Sequence, residues 1–175
     1  MFLEKELNRF GKHVVKEART VLTKKGINAT KDLYNSLRYD VKVFKKNSWR
    51  LSFSMEEHGK YVDEGVKGVG GRKADGTQWK VKKTSGRFKY KNKKPPPRVF
   101  SKWLTIKGKG IRDARGRFIP RKSAMFAMSN IIYHQGIAQT EWFSRPFELA
   151  FERLPVEIVE AYGLDLESLL KTATK

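Results

Sequence analysis

The sequence contains no cysteine in its 175 residues. Disulfide bonds and thiolate metal sites are therefore excluded, and nothing indicates an oxidising compartment. Long apolar runs are also missing, since no stretch approaches the roughly 20 residues that a transmembrane helix needs. The opening MFLEKELNRFGKHVV carries acidic residues where a signal peptide needs an uninterrupted apolar segment. We therefore expect a soluble protein that is made and used without translocation.

Histidines and clustered carboxylates are scarce as well. The three histidines are His13, His58 and His134. None of them forms an H-x-x-x-H or H-E-x-x-H pair. His58 follows Glu57 directly, and adjacent residues of a helix point apart, which is a poor geometry for acid–base or metal chemistry. The GVGG at 68–71 lacks the Lys-Ser/Thr of a phosphate loop. We expect no catalytic residues, no cofactor and no metal, and hence no enzyme.

Acidic residues are nearly absent from one internal block, residues 67–122. The block holds 20 Lys/Arg and 2 Asp/Glu, a net charge of +18, in a chain whose net charge is +20. Residues 1–66 carry 14 Lys/Arg against 9 Asp/Glu, and residues 123–175 carry 4 against 7. A charge distribution this asymmetric indicates a polyanionic or strongly acidic partner. A solvated loop is the alternative, but such a loop does not need the three aromatic residues found between positions 79 and 90.

The first part of the chain has the pattern of a helix. From Leu3 to Leu22, apolar residues recur at helical spacing with charges between them, which predicts a long amphipathic helix that ends near Gly26. A second, short helix is predicted around Leu33.

Alternation then replaces the helical period. Apolar and polar residues alternate over 38–56, which predicts a β-hairpin with one apolar face and a turn at 45–48. A short helix from His58, ending by Gly68, is predicted to follow.

Helical spacing returns after the basic block. Ser123 is a candidate N-cap for a helix that ends at Gly136. A late helix places four residues at i, i+3, i+4 and i+7, which predicts their burial against the sheet: Phe147, Ala150, Phe151 and Leu154. An acidic helix is predicted at the end. The fold class is α+β, a single domain over 1–175 in which a small antiparallel β-sheet packs against the long N-terminal helix and the late helices.

Residues 72–94 alternate in the manner of two strands around the sequence KTSG. We predict an inserted basic β-hairpin arm, hinged at the glycines of 68–71. One face carries the residues expected to contact another subunit, because an isolated hairpin is only marginally stable: Trp79, Val81, Phe88 and Tyr90. The cations expected to face a polyanion or a partner are Lys80, Lys82, Lys83, Arg87, Lys89, Lys91, Lys93 and Lys94.

Three short motifs occur in order around the hairpin and in the late helix. Their residues are Leu37, Arg38, Tyr61, Val62, Glu64, Gly65, Arg145, Pro146, Phe147 and Ala150. This order resembles the tail-completion, or head–tail joining (neck), proteins of tailed bacteriophages, which show Leu-Arg-x-Ser-Ile-like, Tyr-x-x-Tyr-Val-Glu-x-Gly-like and Arg-Pro-Phe-Leu-x-x-Ala-like patterns. The resemblance covers residues 1–66 and about 140–155. Residues 67–122 look like an insertion, and Asp63 interrupts the second motif.

The resemblance implies a structural virion protein that forms a homo-oligomeric ring at the portal–tail junction after assembly in the host cytoplasm. Its implied partners are identical subunits, adjacent portal, adaptor or tail ring proteins, and packaged DNA, with no membrane. The alternative is a basic nucleic-acid-binding module of ribosomal or RNA-processing type, because basic strands interleaved with aromatics are what a stacking platform uses. A nuclease would need clustered carboxylates, and the basic block contains only Asp75 and Asp113.

Overall fold

The computed structural model describes residues 2–27, 31–44, 48–107, 112 and 115–173. Within these ranges the helices are α1 (Phe2–Lys24), α2 (Asp32–Ser36), α3 (His58–Glu64), α4 (Phe100–Lys107), α5 (Arg121–Gln135), α6 (Ser144–Phe151) and α7 (Leu154–Ala173). The strands are β1 (Arg38–Phe44), β2 (Ser48–Ser54), β3 (Val66–Lys67) and β4 (Gly136–Ile137). None of the described helices is long and apolar enough to cross a membrane.

The chain forms two compact units. Unit 1 comprises Met1–Ile27, Asp32–Glu56 and Trp142–Lys175, and unit 2 comprises Asn28–Lys31 and Glu57–Glu141. Unit 2 thus contains the whole basic block. The expectation of one domain over the full chain stays a prediction.

Helix α1 ends as the sequence predicts. Gly26 has a positive φ of 62°, which glycine adopts without steric cost. Its N–H donates to Thr23 O at 3.0 Å, and the N–H of Ile27 donates to Leu22 O at 3.1 Å. These two bonds are the Schellman pattern, and they satisfy carbonyls that the end of a helix leaves without partners.

Strands β1 and β2 form the predicted hairpin. They pair in antiparallel register, with Val41 opposite Leu51 and Tyr39 opposite Phe53. Every second side chain is half-buried over most of both strands, and this face packs against α1. Residues 45–47 of the predicted turn lie outside the described residues.

The core of unit 1 joins this sheet to the first and the late helices. Four rings pack with centroids between 5.4 and 6.4 Å apart, mostly edge to face: Phe10, Phe53, Phe143 and Phe147. Leu154 and Ala161 of α7 are buried against α1. The predicted α+β class is therefore confirmed, with a small antiparallel sheet packed on the N-terminal helix and the late helices.

The prediction that Phe151 belongs to the core is wrong. Its side chain is 51% exposed, although its ring stacks on Phe147 with centroids 5.7 Å apart. The stripe at i, i+3, i+4 and i+7 assumed one straight helix, but α6 ends at Phe151 and α7 begins at Leu154. Pro155 explains the break, because its ring disfavours a helical residue before it and suits the first turn of a new helix.

Unit 2 places α5 beside two short strands. Strands β3 and β4 are antiparallel, with Val66 opposite Ile137. Helix α5 begins at Arg121, directly after Pro120, so the prediction of Ser123 as its N-cap is wrong. Pro120 has a non-helical ψ of 140°, and its carbonyl accepts the N–H of Ala124 at 3.0 Å. The helix therefore starts one turn earlier than the capping pattern indicated.

The glycines of 68–71 are packed and bonded, which corrects their interpretation as a flexible hinge. A Cβ on Gly68 would overlap the carbonyl of His134, so only glycine fits this close approach. The N–H groups of Val69 and Gly70 donate to Tyr133 O and His134 O at 3.0 and 2.9 Å. They thereby satisfy carbonyls in the last turn of α5, which have no partner within that helix.

Candidate polyanion-binding surface

The segment 78–91 runs through unit 2 as an extended chain anchored to β3. The N–H of Lys67 donates to Phe88 O at 2.9 Å, and the N–H of Tyr90 donates to Lys67 O at 2.9 Å. Lys67 and Lys89 thereby form an isolated parallel bridge. Two residues before Phe88, the N–H of Gly86 donates to Glu64 O at 3.3 Å. These bonds fix which side of the segment faces the rest of unit 2.

The first half of the segment is bonded elsewhere. The N–H of Lys82 donates to Gln135 O, the last residue of α5, at 2.8 Å. The N–H of Trp79 donates to Gly71 O at 2.9 Å. The backbone donors of the segment therefore have partners from several parts of unit 2.

The predicted β-hairpin arm over 72–94 is not formed. The described residues 79–83 and 87–91 do not pair with each other, and the segment carries only isolated bridges. A two-stranded ribbon alone is marginal in water, whereas α3, α5 and β3 offer both backbone partners and aromatic surface. Residues 78–94 are therefore a folded part of unit 2 and not a projecting ribbon.

A tight turn lies near the start of the basic block, at residues 72–78. Arg72 and Gln78 form an antiparallel bridge, and Gly76 has a positive φ of 82°. The Oδ1 atom of Asp75 accepts the hydroxyl and the N–H of Thr77 at 2.6 and 2.9 Å. The hydroxyl bond from Thr77, followed by the backbone bond, lowers the pKa of the Asp75 carboxyl. The Asp-Gly pair was the sequence signal for this turn.

Three rings of the segment contact rings of α3 and α5. The pairs are Trp79 on His134 with centroids 5.2 Å apart, Phe88 on Tyr61 at 4.6 Å, and Tyr90 on Tyr133 at 6.0 Å. Burial raises the pKa of the Tyr90 phenol. The rings that the sequence placed on one face thus face the inside of unit 2.

These contacts change the basis of one prediction. Trp79, Val81, Phe88 and Tyr90 were assigned to subunit contacts because a lone ribbon cannot bury its own apolar face. In the structure unit 2 itself covers part of that face, and of the four only Val81 is exposed. That these four residues contact another subunit stays a prediction, but the need to cover a lone ribbon no longer supports it.

The cations of residues 80–94 are exposed to solvent, and we call them the basic strip: Lys80, Lys82, Lys83, Arg87, Lys89, Lys91, Lys93 and Lys94. All eight side chains are exposed. From position 84 to position 91, half-buried and exposed residues alternate one by one, as expected where an extended chain has one face inside and one outside. The prediction that these cations share the solvent side is confirmed for the alternating part.

The basic strip takes part in none of three ion pairs that lie within the described residues. The pairs are Glu6–Arg9, Asp40–Lys42 and Glu57–Lys60. Two cations of the strip are held by other contacts. Arg87 lies over the ring of Phe88 at 5.5 Å, and Lys94 Nζ donates to Asn130 Oδ1 at 2.8 Å. The strip is therefore a surface of positive charge whose backbone is fixed.

Helix α5 also binds the backbone at the end of the basic strip and just after it. The hydroxyl of Tyr133 donates to Lys91 O at 2.6 Å, and the hydroxyl of Ser129 donates to Pro95 O at 2.6 Å. Ser129 is buried. Sequence reasoning did not identify these two residues, because the segments they join are more than 30 positions apart.

The histidines do not come together with carboxylates. His13 and His58 are exposed, and the Nδ1–H of His134 donates to Gly70 O at 2.6 Å. The structure gives His134 a packing role that its sequence neighbourhood did not indicate. No group of three or more histidine, aspartate or glutamate side chains within the described ranges could hold a metal ion.

The residues of the three sequence motifs occupy structural positions in both units. In unit 1, Leu37 is fully buried, Pro146 and Ala150 are buried, and Phe147 lies in the aromatic core, while Arg38 and Arg145 are exposed. In unit 2, Tyr61 packs on Phe88, Val62 O accepts the hydroxyl of Thr140 at 2.6 Å, and Glu64 O accepts Gly86 N–H. Gly65 has a φ of 78°, and any side chain there would meet backbone atoms of 137 and 139.

Comparison with known proteins adds no relative. The chain matches no family model, no curated protein and no solved structure. The chemistry of the basic strip and the order of the motifs therefore carry the functional argument.

Proposed function

We propose that this chain is a structural virion protein of a tailed bacteriophage, a neck or tail-completion protein that forms a homo-oligomeric ring at the portal–tail junction. Its partners are identical subunits, the adjacent portal, adaptor or tail ring proteins, and the packaged DNA. It assembles in the host cytoplasm and resides in the virion. The basic strip faces the DNA path or an acidic neighbouring ring.

The observation that carries this proposal is the outward basic strip on a fixed backbone. Eight exposed cations follow one another within fifteen positions, and those in the alternating part are held about 7 Å apart by the extended chain. A ring would bring the strips of several copies close together. Such repulsion is sustained only against phosphates or carboxylates, and DNA supplies one negative charge per roughly 1.7 Å of its axis.

The positions of the motif residues support the same proposal. Phe147 and Ala150 belong to the core of unit 1, and Gly65 occupies a backbone conformation that favours glycine. These motifs therefore act by shaping a scaffold. A ring component needs a scaffold and binding surfaces but no group that reacts with a substrate, which fits motifs of this kind.

The second candidate is a basic nucleic-acid-binding module of ribosomal or RNA-processing type. The exposed cations favour it equally, because phosphate contacts supply most of the non-specific affinity for nucleic acids. Base stacking favours it less, because Trp79 already stacks on His134 and Phe88 already packs edge to face on Tyr61 within unit 2. A module of this class would hold its nucleic acid through charge and would not require a ring.

Two measurements on one preparation separate the candidates. Light scattering gives the molar mass over a range of concentrations, and a salt titration gives the affinity for a DNA duplex. For a neck protein we expect multiples of the 20.3 kDa chain that persist without nucleic acid. A chain that stays at 20.3 kDa at every concentration and binds short oligonucleotides tightly contradicts the ring and supports the module.

The basic strip is tested by the quadruple replacement of Lys80, Lys82, Lys89 and Lys91 by glutamine. If all four contact phosphates, the slope of log affinity against log salt becomes shallower by about 3 to 4. The matched control replaces four exposed lysines outside the block: Lys5, Lys31, Lys42 and Lys60. Equal slopes for the two variants would contradict the assignment of the strip.

A further inference from the structure

Unit 1 has an open groove of about 980 Å³ along the second half of α1, beside α2 and the start of β1. Its floor is apolar, with Val15 and Leu37 buried beneath it and Tyr39 half-buried. The cations that line it are Lys12, Lys16, Arg19, Lys24 and Arg38. No described acidic side chain lines it. The groove therefore suits a ligand that is apolar in its centre and negative at its edges.

Most of these cations are available to a ligand. Arg19 is used within the chain, because its guanidinium donates to Tyr34 O and Leu37 O at 3.1 and 3.0 Å. The other four side chains are exposed. Lys12 and Lys16 are one helical turn apart, so they form one edge of the groove.

Helix α7 has an apolar face that the described part of the chain leaves exposed. Val156, Val159, Gly163 and Leu166 follow one another at intervals of three, four and three residues, which is the spacing of a helix–helix seam. The three side chains are 63%, 71% and 43% exposed. The opposite face of α7, with Leu154, is buried against α1. The helix therefore carries one apolar face more than the fold of unit 1 uses.

Gly163 lies at the middle of this outer face. A Cβ placed on it would meet no atom within 4 Å, so packing inside the chain does not require glycine there. Glycine in the interior of a helix costs stability relative to alanine. It is suited to a position that another backbone approaches closely.

The charges of this helix are opposite to those of the groove. Between Leu154 and Glu167 the sequence has four acidic residues and no basic residue: Glu157, Glu160, Asp165 and Glu167. Asp165 is used at the start of α1. Glu160 and Glu167 are two helical turns apart and therefore flank the same side of the outer face.

We propose that the outer face of α7 of one copy binds in the α1 groove of a second copy. The α7 helix cannot fill its own groove, since its inner face packs along the first half of α1, where Ala161 contacts Leu3 and Leu7. Each copy then offers one groove and one helix face. A head-to-tail contact of this kind builds a closed ring when its rotation closes. The inference rests on the proposed ring and names the surfaces that form it.

A phosphate backbone is the competing occupant of the groove. Phosphates would use the cations but would gain nothing from Val15, Leu37 and Tyr39 on the floor. The outer face of α7 uses both features, because its valines and leucine match the floor and its glutamates match the edge. The combination of apolar floor and charge therefore favours a second copy.

Cross-linking tests the contact directly, because the chain has no cysteine of its own. Thr20→Cys places a thiol in the groove, and Gly163→Cys places one on the outer face of α7. Mixed and treated with a short bis-maleimide, the two variants should give a dimer of about 41 kDa, twice the mass of the chain. Each variant alone should stay at the mass of one chain. A double variant should give a ladder of higher multiples.

The control mixture replaces the Gly163→Cys variant with a Val99→Cys variant. Val99 is an exposed residue of unit 2 that directly precedes α4. We expect no dimer with Thr20→Cys. Dimers of equal yield from this pair would overturn the proposal, and so would a double variant that stops at dimers, because that result indicates a two-fold contact. Absence of the Thr20–Gly163 dimer would overturn it as well. If Lys12→Gln and Lys16→Gln together then weaken DNA binding as much as the strip variant, the groove binds a polyanion instead.

Light scattering of the unmodified chain in the same buffer separates this proposal from the ring itself. Oligomers without the cross-link mean that the ring stands and its contact lies elsewhere. A chain that neither oligomerises nor cross-links contradicts both.

Discussion

The indole of Trp79 lies flat on the imidazole of His134, with ring centroids 5.2 Å apart and planes within 6°. The contact joins the first half of the basic segment to the last turn of α5. The Nδ1–H at the edge of the His134 ring donates to Gly70 O. The pair therefore holds both the glycine-rich lead-in and the segment that carries the exposed lysines.

Removal of this contact should loosen the basic segment. Trp79→Ala should lower the free energy of unfolding by about 2–3 kcal/mol, less than for a fully buried tryptophan because the ring is only half-buried. Hydrogen exchange should show the amide of Lys82 protected in the free wild-type chain and exposed in the variant. Val81→Ala is the control and should change neither. Rapid exchange at Lys82 in the wild-type chain would show that the segment is a mobile arm.

Two phenylalanines of α6 should differ in their contribution to stability. Phe147 contacts Phe10 and Phe53, with centroids 5.9 Å from each, whereas Phe151 is 51% exposed. Phe147→Ala should cost about 3–5 kcal/mol and Phe151→Ala about 1 kcal/mol in urea unfolding. Equal costs would mean that α6 and α7 form one continuous helix in solution.

Two helical glycines should respond oppositely to alanine. A Cβ on Gly11 would overlap the ring of Tyr39, whereas a Cβ on Gly163 would meet nothing. Gly11→Ala should therefore destabilise unit 1 by about 1–3 kcal/mol through overpacking. Gly163→Ala should stabilise the monomer by up to about 1 kcal/mol through helix propensity. Thermal unfolding of the two variants in dilute solution checks the direction of both stability changes. A higher stability of Gly11→Ala would contradict the packing of the Tyr39 ring against Gly11.

Asp165 should make stability depend on pH in acid. The N–H groups of Phe2 and Leu3 donate to its carboxylate at 2.7 and 3.0 Å, and the bond from Leu3, followed by that from Phe2, lowers its pKa below 3.8. The stabilisation is therefore complete above the unfolded value and is lost as the pH falls through the lower folded value. Asp165→Asn should lower Tm at pH 7, and the difference from wild type should shrink as the pH falls from the unfolded pKa through the lower folded pKa. A difference that is constant over this range would contradict the role of the carboxylate.

The sequence was sufficient for unit 1 wherever the signal is local. The period of α1, the glycine at its end and the alternation of β1 and β2 are all read within a few residues. The exposure of Phe151 could not be predicted in this way, because the i, i+3, i+4 and i+7 pattern carries no information on whether a helix continues. Pro155 did carry that information, since proline fits the first turn of a new helix.

Unit 2 shows a different limit of prediction from the sequence. From position 84 to position 91, alternation correctly predicted that the cations and the rings lie on opposite sides of an extended chain. It could not predict what covers the rings, because a period of two is the same beside a strand and beside a helix. The bonds of Lys67 to Phe88 and Tyr90 join positions more than 20 residues apart, and no local pattern specifies such a partner. The glycines of 68–71 were ambiguous for the same reason, since close packing and flexibility select the same residue.

Electron microscopy of the particle assembled by the genome that encodes this chain tests the central proposal most directly. We expect a ring of identical copies at the portal–tail junction, in which the basic strip faces the DNA path or an acidic ring next to it. Particles assembled without this protein should stop before the tail is joined to the head. Density for this chain elsewhere in the particle, or its absence from a complete tailed particle, would contradict the proposal.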